Sequence, residues 1–351
     1  NGGKKNEFKR DFKINVCEHS TLPDKTKVLY AIETKNTAVF HPLKYLISLK
    51  KICEKKGISF YENTKVLKIS KEDVFICQTK DNTIRAKKVV LALHYPYFLF
   101  PFLMPFKTHL EKSYIVATQE NNKKFSAITS KNPTLSIRYT NNNKKDYKLI
   151  LTNSHNIAFK NNDSKNFAEL LNKIDKKPCF VWSNKDIMTN DKLPYIGELE
   201  KDLYIGTGYN TWGMTNGSLA WKILSDLILK KENIYQELFN PKRHLTVNSF
   251  LNFPIDMVSN IKSFFGSKIN KNKSWYNQNV KFEKRNGENI AIYKDENNKE
   301  HIVYNRCPHL KCGLIFNQEE KTWDCPCHGS RFDLDGKCIE GPSNYDISYK
   351  K

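Results

Sequence analysis

The chain has 351 residues, of which 39% are apolar and 12% aromatic, enough for two folded cores and incompatible with a disordered polymer. Its net charge of +21 arises entirely before residue 276, because the rest carries 12 basic and 12 acidic side chains. Only 7 of the 58 basic residues are Arg, whose planar fork suits phosphates and base edges, and Lys and Asn crowd loop stretches such as 141–145 and 270–273. This is a solvated surface, and no nucleic-acid partner is expected.

Leu43, Leu46, Ile47, Leu49 and Ile52 recur at helical spacing, and Gly57 stands where a helix C-terminus favours glycine, so a helix is predicted over 42–56. Short β-rich runs follow at 58–61, 65–69 and 74–78, then a turn at Asp81-Asn82 and the fully apolar run 89–93. Strands are predicted again at 113–118, 134–139 and 147–151, a helix at 166–174 and a strand at 181–188. The alternation favours α/β or α+β. The most apolar stretch, 89–106, is interrupted by His94, Pro96, Pro101 and Pro105, so no spanning helix is expected. Cys17, Cys53, Cys77, Cys179 and Cys338 follow no spacing pattern and read as reduced, buried thiols of a cytoplasmic protein.

The run from Leu203 through Gly206, Thr207, Gly208, Tyr209 and Trp212 to Gly213, Met214 and Thr215 predicts an apolar strand, a glycine-rich turn and a helix to about residue 230. Glycines there let a ligand approach bare N–H groups at the positive helix end, although many tight turns hold glycine for backbone reasons alone. In its chain context this segment resembles the last flavin-contacting segment of FAD-dependent oxidoreductases related to glycine oxidase and D-amino-acid oxidase. His41-Pro42 with its helix, 65–69, 88–96, and the stretch from Trp182-Ser183 through Asp186 and Asp191 to Gly197 agree with that resemblance, which covers about 25–240.

The resemblance implies FAD, with Gly206 and Gly208 in the turn, N–H groups around Gly213, Met214 and Thr215 facing the pyrimidine end, and Val66 beside the adenine half. It implies no catalytic base here: Thr152-Asn153-Ser154-His155 departs from the glycine-rich stretch of related fused proteins, and His94 and His155 read as structural. No G-x-G-x-x-G follows a strand. The first βαβ unit of the family is therefore expected to be missing, leaving poor FAD binding and exposed apolar surface. Between 241 and 275, Ile255, Val258, Ile261 and Phe265 form one helical stripe, expected to pack on the flavoprotein body, with a membrane surface as the lesser alternative.

Near the C-terminus stand Cys307 and His309, then, after 15 intervening residues, Cys325 and His328. Two thiolates and two imidazoles from facing loops suit a two-iron cluster; they also suit tetrahedral zinc. Each loop keeps a further Cys, Cys312 and Cys327, which a zinc finger does not need, and Gly341-Pro342 follows. The segments 307–312 and 323–333 resemble the cluster-binding boxes of Rieske iron-sulfur proteins of the disulfide-containing type, over about 276–351. That resemblance implies Cys307 and Cys325 on one iron, His309 and His328 on the other, a Cys312–Cys327 disulfide, a hydrogen bond from Ser330 to a cluster sulfur, and Gly341-Pro342 closing over the cluster. Phe332 stands where high-potential members carry Tyr, which predicts a lower potential, while Lys311, where Gly is commoner, adds an opposing positive charge.

The expectation is thus a partial FAD-dependent oxidoreductase fold with a mixed substrate-domain sheet (1–240), a linker (241–275) and a small all-β Rieske domain (276–351). FAD would oxidise a small amine or amino-acid-like substrate and electrons would pass singly through the [2Fe-2S] cluster to a redox protein or quinone-like acceptor. The rival expectation is an electron-transfer protein whose flavoprotein part is a non-catalytic remnant.

Overall fold

The computed structural model describes residues 14–22, 25–34, 37–95, 107–121, 123, 125–129, 134–157, 163–243, 279–309 and 311–349. The chain divides into two compact units, one of residues 1–60, 116–151 and 176–180, the other of 61–115, 152–175 and 181–351.

In the first unit β1 (Ile14–Thr21) and β2 (Lys27–Thr34) form an antiparallel hairpin with Ile14 opposite Thr34. The helix α1 spans Pro42–Lys55: the His41 side chain accepts a hydrogen bond from the Lys44 N–H at 3.4 Å, Pro42 occupies the first turn, and Gly57 follows with φ +83°. The helix forms as predicted, yet its apolar stripe stays open, with Leu43 60% and Ile52 53% exposed.

Next come β3 (Lys68–Lys71), β4 (Phe75–Gln78) and β5 (Thr83–Ala86), one antiparallel sheet, and then β6 (Val89–Leu91). The stretch 58–61, expected as a strand, is not one, and the strand expected at 65–69 begins only at Lys68. Strands β7 (Thr108–Gln119), β8 (Ser126–Ile128), β9 (Ser136–Asn142) and β10 (Lys145–Asn156), the helix α2 (Asp163–Leu171) and β11 (Phe180–Thr189) follow. The sheet order is β11-β7-β10-β9-β8.

In the second unit β12 (Tyr195–Glu200) pairs antiparallel with β13 (Leu203–Thr207), which runs parallel to β6. Every residue of β13 is buried because the strand serves two cores. Leu203 and Ile205 pack with Phe75, Leu91 and Tyr195 on one face, and Tyr204 packs with Ala220, Ile223 and Leu224 of α3 (Gly213–Ile228) on the other. A short helix, α4 (Gln236–Phe239), closes this part. The stripe of Ile255, Val258, Ile261 and Phe265 lies outside the described residues.

The C-terminal part, also in the second unit, is all β. It has an antiparallel sheet of β14 (Val280–Arg285), β15 (Glu288–Lys294) and β16 (Glu300–Tyr304), and another ordered β17 (Ile315–Asn317), β18 (Thr322–Asp324), β19 (Arg331–Phe332), β20 (Cys338–Glu340). Their shared core contains Val280, Ala291, Val303, Trp323 and Phe332 together with Cys307, Cys312, Cys325 and Cys327.

Candidate redox centre

Two loops carry the donor residues. In the loop from β16 to β17 the Cys307 N–H donates to the Cys312 carbonyl at 2.8 Å and the Lys311 N–H to the Cys307 carbonyl at 2.9 Å, closing a tight turn. Lys311 has φ +61°, a left-handed conformation that costs an L residue energy, which is the physical reason glycine suits this position. In the loop from β18 to β19 the Cys325 N–H donates to the Ser330 carbonyl at 2.7 Å and the Gly329 N–H to the Cys325 carbonyl at 3.0 Å. Trp323 and Phe332 pair across the base of this second loop. The disulfide Cys312–Cys327 joins the two tips, with the Cα atoms 6.6 Å apart.

Within the site Cys307 meets Cys325 and His309 meets His328. Cys307 and Cys325 are 0% and 3% exposed, and hydrogen bonding with Cys307, reinforced by burial, pushes the Cys325 thiol well above its ordinary value. The imidazoles of His309 and His328 stand perpendicular, centroids 5.0 Å apart. Burial holds both neutral, at about 4 for His309 and about 3 for His328, the form in which a ring nitrogen can bind a metal. Both nitrogens of His309 and Nδ1 of His328 are buried without a hydrogen-bond partner, a cost that a metal ion would remove. The sulfurs of Cys312, Cys325 and Cys327 also lie within 4.8 Å of one another, but the disulfide withdraws two of them as thiolate donors. A pair of sulfurs and a pair of neutral imidazoles, on two loops joined by a disulfide, make a donor set that fits a mixed-ligand two-iron cluster. Ser330 is fully buried; its Oγ accepts the Ser343 N–H at 2.9 Å, leaving its own O–H to donate elsewhere, and this bond ties the segment after Gly341-Pro342 to the second loop.

The second loop is seated on the strands β7 and β11. Lys185 donates to the Gly329 carbonyl at 2.5 Å and lies 3.4 Å from Glu340. Lys112 pairs with Asp324 at 3.0 Å and with Asp163 at 2.7 Å, and Asp163 also accepts from the Tyr114 hydroxyl at 2.5 Å. The Ser183 hydroxyl donates to Glu320, Arg331 reaches Glu320 at 2.7 Å and Asp324 at 3.2 Å, and Lys65 donates to the Ser343 carbonyl at 2.5 Å. The ring of Tyr95 lies 6.2 Å from that of His328. The sequence does not single out Lys112 or Lys185, because each stands among polar neighbours in a strand of mixed composition.

At the glycine-rich turn the three glycines have different reasons. A Cβ on Gly206 would meet the Tyr209 hydroxyl at 2.7 Å, and Gly208 has φ +71° with Thr189 Cγ2 2.5 Å from where its Cβ would be, so close packing favours glycine at 206 and packing and backbone conformation together require it at 208. Around Gly213 a Cβ would meet nothing within 4 Å. Trp212 caps α3 without a side-chain hydrogen bond, so the first N–H groups of the helix, at Gly213, Met214 and Thr215, face open space. That arrangement fits the electron-rich edge of a flavin. Val66 is half-buried and precedes β3, outside the strand expected to carry it. Asp191 and Tyr195, in the stretch likened to the substrate face, are held by Arg243, which grips Asp191 at 2.7 and 2.8 Å and covers the Tyr195 ring at 4.0 Å.

Comparison with known proteins agrees with this geometry. Residues 15–227 match the family model of FAD dependent oxidoreductases, and residues 268–349 match that of the Rieske [2Fe-2S] domain. The chain is 32% identical over 332 residues to YhfW of Bacillus subtilis (strain 168), described as a Rieske 2Fe-2S iron-sulfur protein; the match covers 89% of this chain and 64% of that one. The cytochrome b6-f complex iron-sulfur subunit of Synechococcus elongatus is 46% identical over 42 residues, 12% of this chain and 24% of that subunit. Glycine oxidase from Geobacillus kaustophilus superposes with a TM-score of 0.56 at 17% identity, covering 70% of this chain and 71% of its own.

The chain belongs to the FAD dependent oxidoreductase family and carries a Rieske [2Fe-2S] domain at its C-terminal end. It spans 64% of the length of its Bacillus subtilis relative. Among the described residues no helix is long and apolar enough to cross a membrane.

Proposed function

We propose that the protein oxidises a small amine or amino-acid-like substrate and releases the electrons singly through the Rieske centre. FAD supplies a two-electron oxidation that can be delivered one electron at a time, and the cluster accepts one. Oxidation of an amine to an imine breaks one C–H and one N–H bond and releases two electrons and two protons. The electrons then need an external one-electron acceptor, either a redox protein or a quinone-like molecule.

The observation that carries this reading is the seating of the cluster loop: buried Lys185 holds the carbonyl of Gly329, next to His328, while Lys112 holds Asp324, next to Cys325. Strands of the oxidoreductase part thereby grip the residues flanking one ligand of each iron. Cys307, His309, Cys325 and His328 would hold the cluster, and the N–H groups of Gly213, Met214 and Thr215 would face the flavin ring. The likeness to glycine oxidase supports the substrate class.

The test is anaerobic mixing of the flavin- and cluster-loaded protein with glycine, other small amino acids and simple amines. The expected result is bleaching of the flavin band followed by growth of the low-average-g resonance of a reduced mixed-ligand cluster. Flavin bleaching with a cluster that stays oxidised would refute the coupling. Cluster absorbance with no flavin band would favour the remnant.

A further inference from the structure

We infer that Tyr95 is the residue through which the flavin-facing turn communicates electronically with the histidine-bound iron. The inference rests on the coupled function proposed above and names the route that coupling takes.

Tyr95 lies beyond the end of β6 and is 9% exposed, packed with Leu110 of β7, Ile157 and Ile187 of β11. Its ring faces His328 at 6.2 Å between centroids, tilted by 52°. The carbonyl of the preceding residue, His94, accepts a hydrogen bond from Thr207 Oγ1 at 3.1 Å. Thr207 is the last residue of β13, and the turn it opens leads to the N–H groups of Gly213, Met214 and Thr215. A continuous line therefore runs from the turn through one hydroxyl-to-carbonyl bond, along one residue of backbone, and across a buried aromatic ring to an iron ligand. Gly329, beside His328, packs so tightly that an added Cβ would stand 2.9 Å from Leu110, a neighbour of Tyr95, so the backbone next to His328 lies against the apolar cluster that holds Tyr95.

One electron crosses per event: the reduced flavin loses one electron, one ferric iron becomes ferrous, and Tyr95 ends unchanged with no bond made or broken. The ring is needed for its contact with His328, and its hydroxyl is not consumed.

The experiment compares the wild-type protein, loaded with both cofactors, with Tyr95→Leu, Tyr95→Phe and Thr207→Val. Three quantities are read: the rate at which the cluster resonance appears after anaerobic flavin reduction, the cluster g-values, and the cluster midpoint potential. Tyr95→Leu is expected to slow cluster reduction by roughly tenfold or more, a barrier rise of about 1.4 kcal/mol, with g-values and potential unchanged. Tyr95→Phe is expected to keep the wild-type rate. If Tyr95→Leu fails to assemble the cluster, Thr207→Val carries the test, and it too is expected to slow the transfer. Wild-type transfer with an unaltered rate in Tyr95→Leu, or in Thr207→Val where that variant stands in, overturns the route and leaves the coupled function standing. Absence of flavin-to-cluster transfer in the wild type overturns both. A Tyr95→Phe rate as slow as that of Tyr95→Leu overturns the assignment to the ring.

Discussion

Lys112 on β7 reaches Asp324, the residue immediately before the cluster ligand Cys325, at 3.0 Å, with its side chain 5% exposed. The same ammonium holds Asp163 at 2.7 Å, so one buried cation bridges two carboxylates from distant parts of the chain. Removing it takes from half-buried Asp163 the cation at 2.7 Å, while Asp324 keeps Arg331 at 3.2 Å. Lys112→Met should therefore destabilise the protein by about 3 kcal/mol. Urea unfolding of the second unit, followed by loss of cluster absorbance, measures this. A loss under about 1 kcal/mol, the range of exposed pairs, would show that the network contributes little.

Asp191 offers a pH signature away from the cluster. Burial alone would raise its carboxyl, but hydrogen bonds from Arg243 and from the Leu193 backbone outweigh burial and hold it below the ordinary aspartate value. Because the folded value is the depressed one, the ionised form stabilises the fold at neutral pH, and that stabilisation fades as pH falls below the unfolded aspartate value of about 3.9. Asp191→Asn should be less stable than wild type at pH 7, with the gap narrowing below about pH 4. Denaturant midpoints measured across that range decide it; a gap that stays constant or widens in acid contradicts the assignment.

The donor set of the cluster was legible in the sequence because it is a matter of residue type and short spacing: Cys307 with His309 and Cys325 with His328 admit few chemistries, and the neighbouring Cys312 and Cys327 separate them further. The seating of that cluster was not legible. Lys112 meets Asp324 across 212 residues and Lys185 meets Gly329 across 144, and neither lysine carries a local pattern that announces a partner so far away. The β1–β2 hairpin is illegible for another reason: β2 is apolar without a break from Val28 to Ile32, so it lacks the period-two alternation that marks a half-buried strand. In the same way α1 was recognised from its apolar stripe, although nothing in that stripe indicated that it would remain open.

Phe332 sits on β19, fully buried in the same core as Cys307 and Cys325. A phenol in its place would add a donor near a cysteine sulfur, and such a bond favours the more negative, reduced state. Phe332→Tyr should raise the midpoint potential by roughly 40 mV, the one-electron equivalent of a net hydrogen bond of about 1 kcal/mol. A resonance-monitored redox titration reads it. An unchanged or lowered potential would mean that the hydroxyl finds another partner.

Gly329 tests whether the fit between the second cluster loop and the strands matters to function as well as to stability. Its φ is +76°, and a Cβ there would stand 2.9 Å from Leu110 Cδ1 and 3.0 Å from Lys185 Cδ. Gly329→Ala thus adds backbone strain to overpacking, costs that together come to about 2 kcal/mol or more. The loop can relieve the contact only by moving off β7 and β11, which stretches the bond from Lys185 to the Gly329 carbonyl and carries the His328 ring away from Tyr95. Cluster reduction by the flavin should slow, while the donor set itself is untouched and the mixed-ligand resonance persists. A variant that loses stability yet transfers electrons at the wild-type rate would show that the seating serves folding alone.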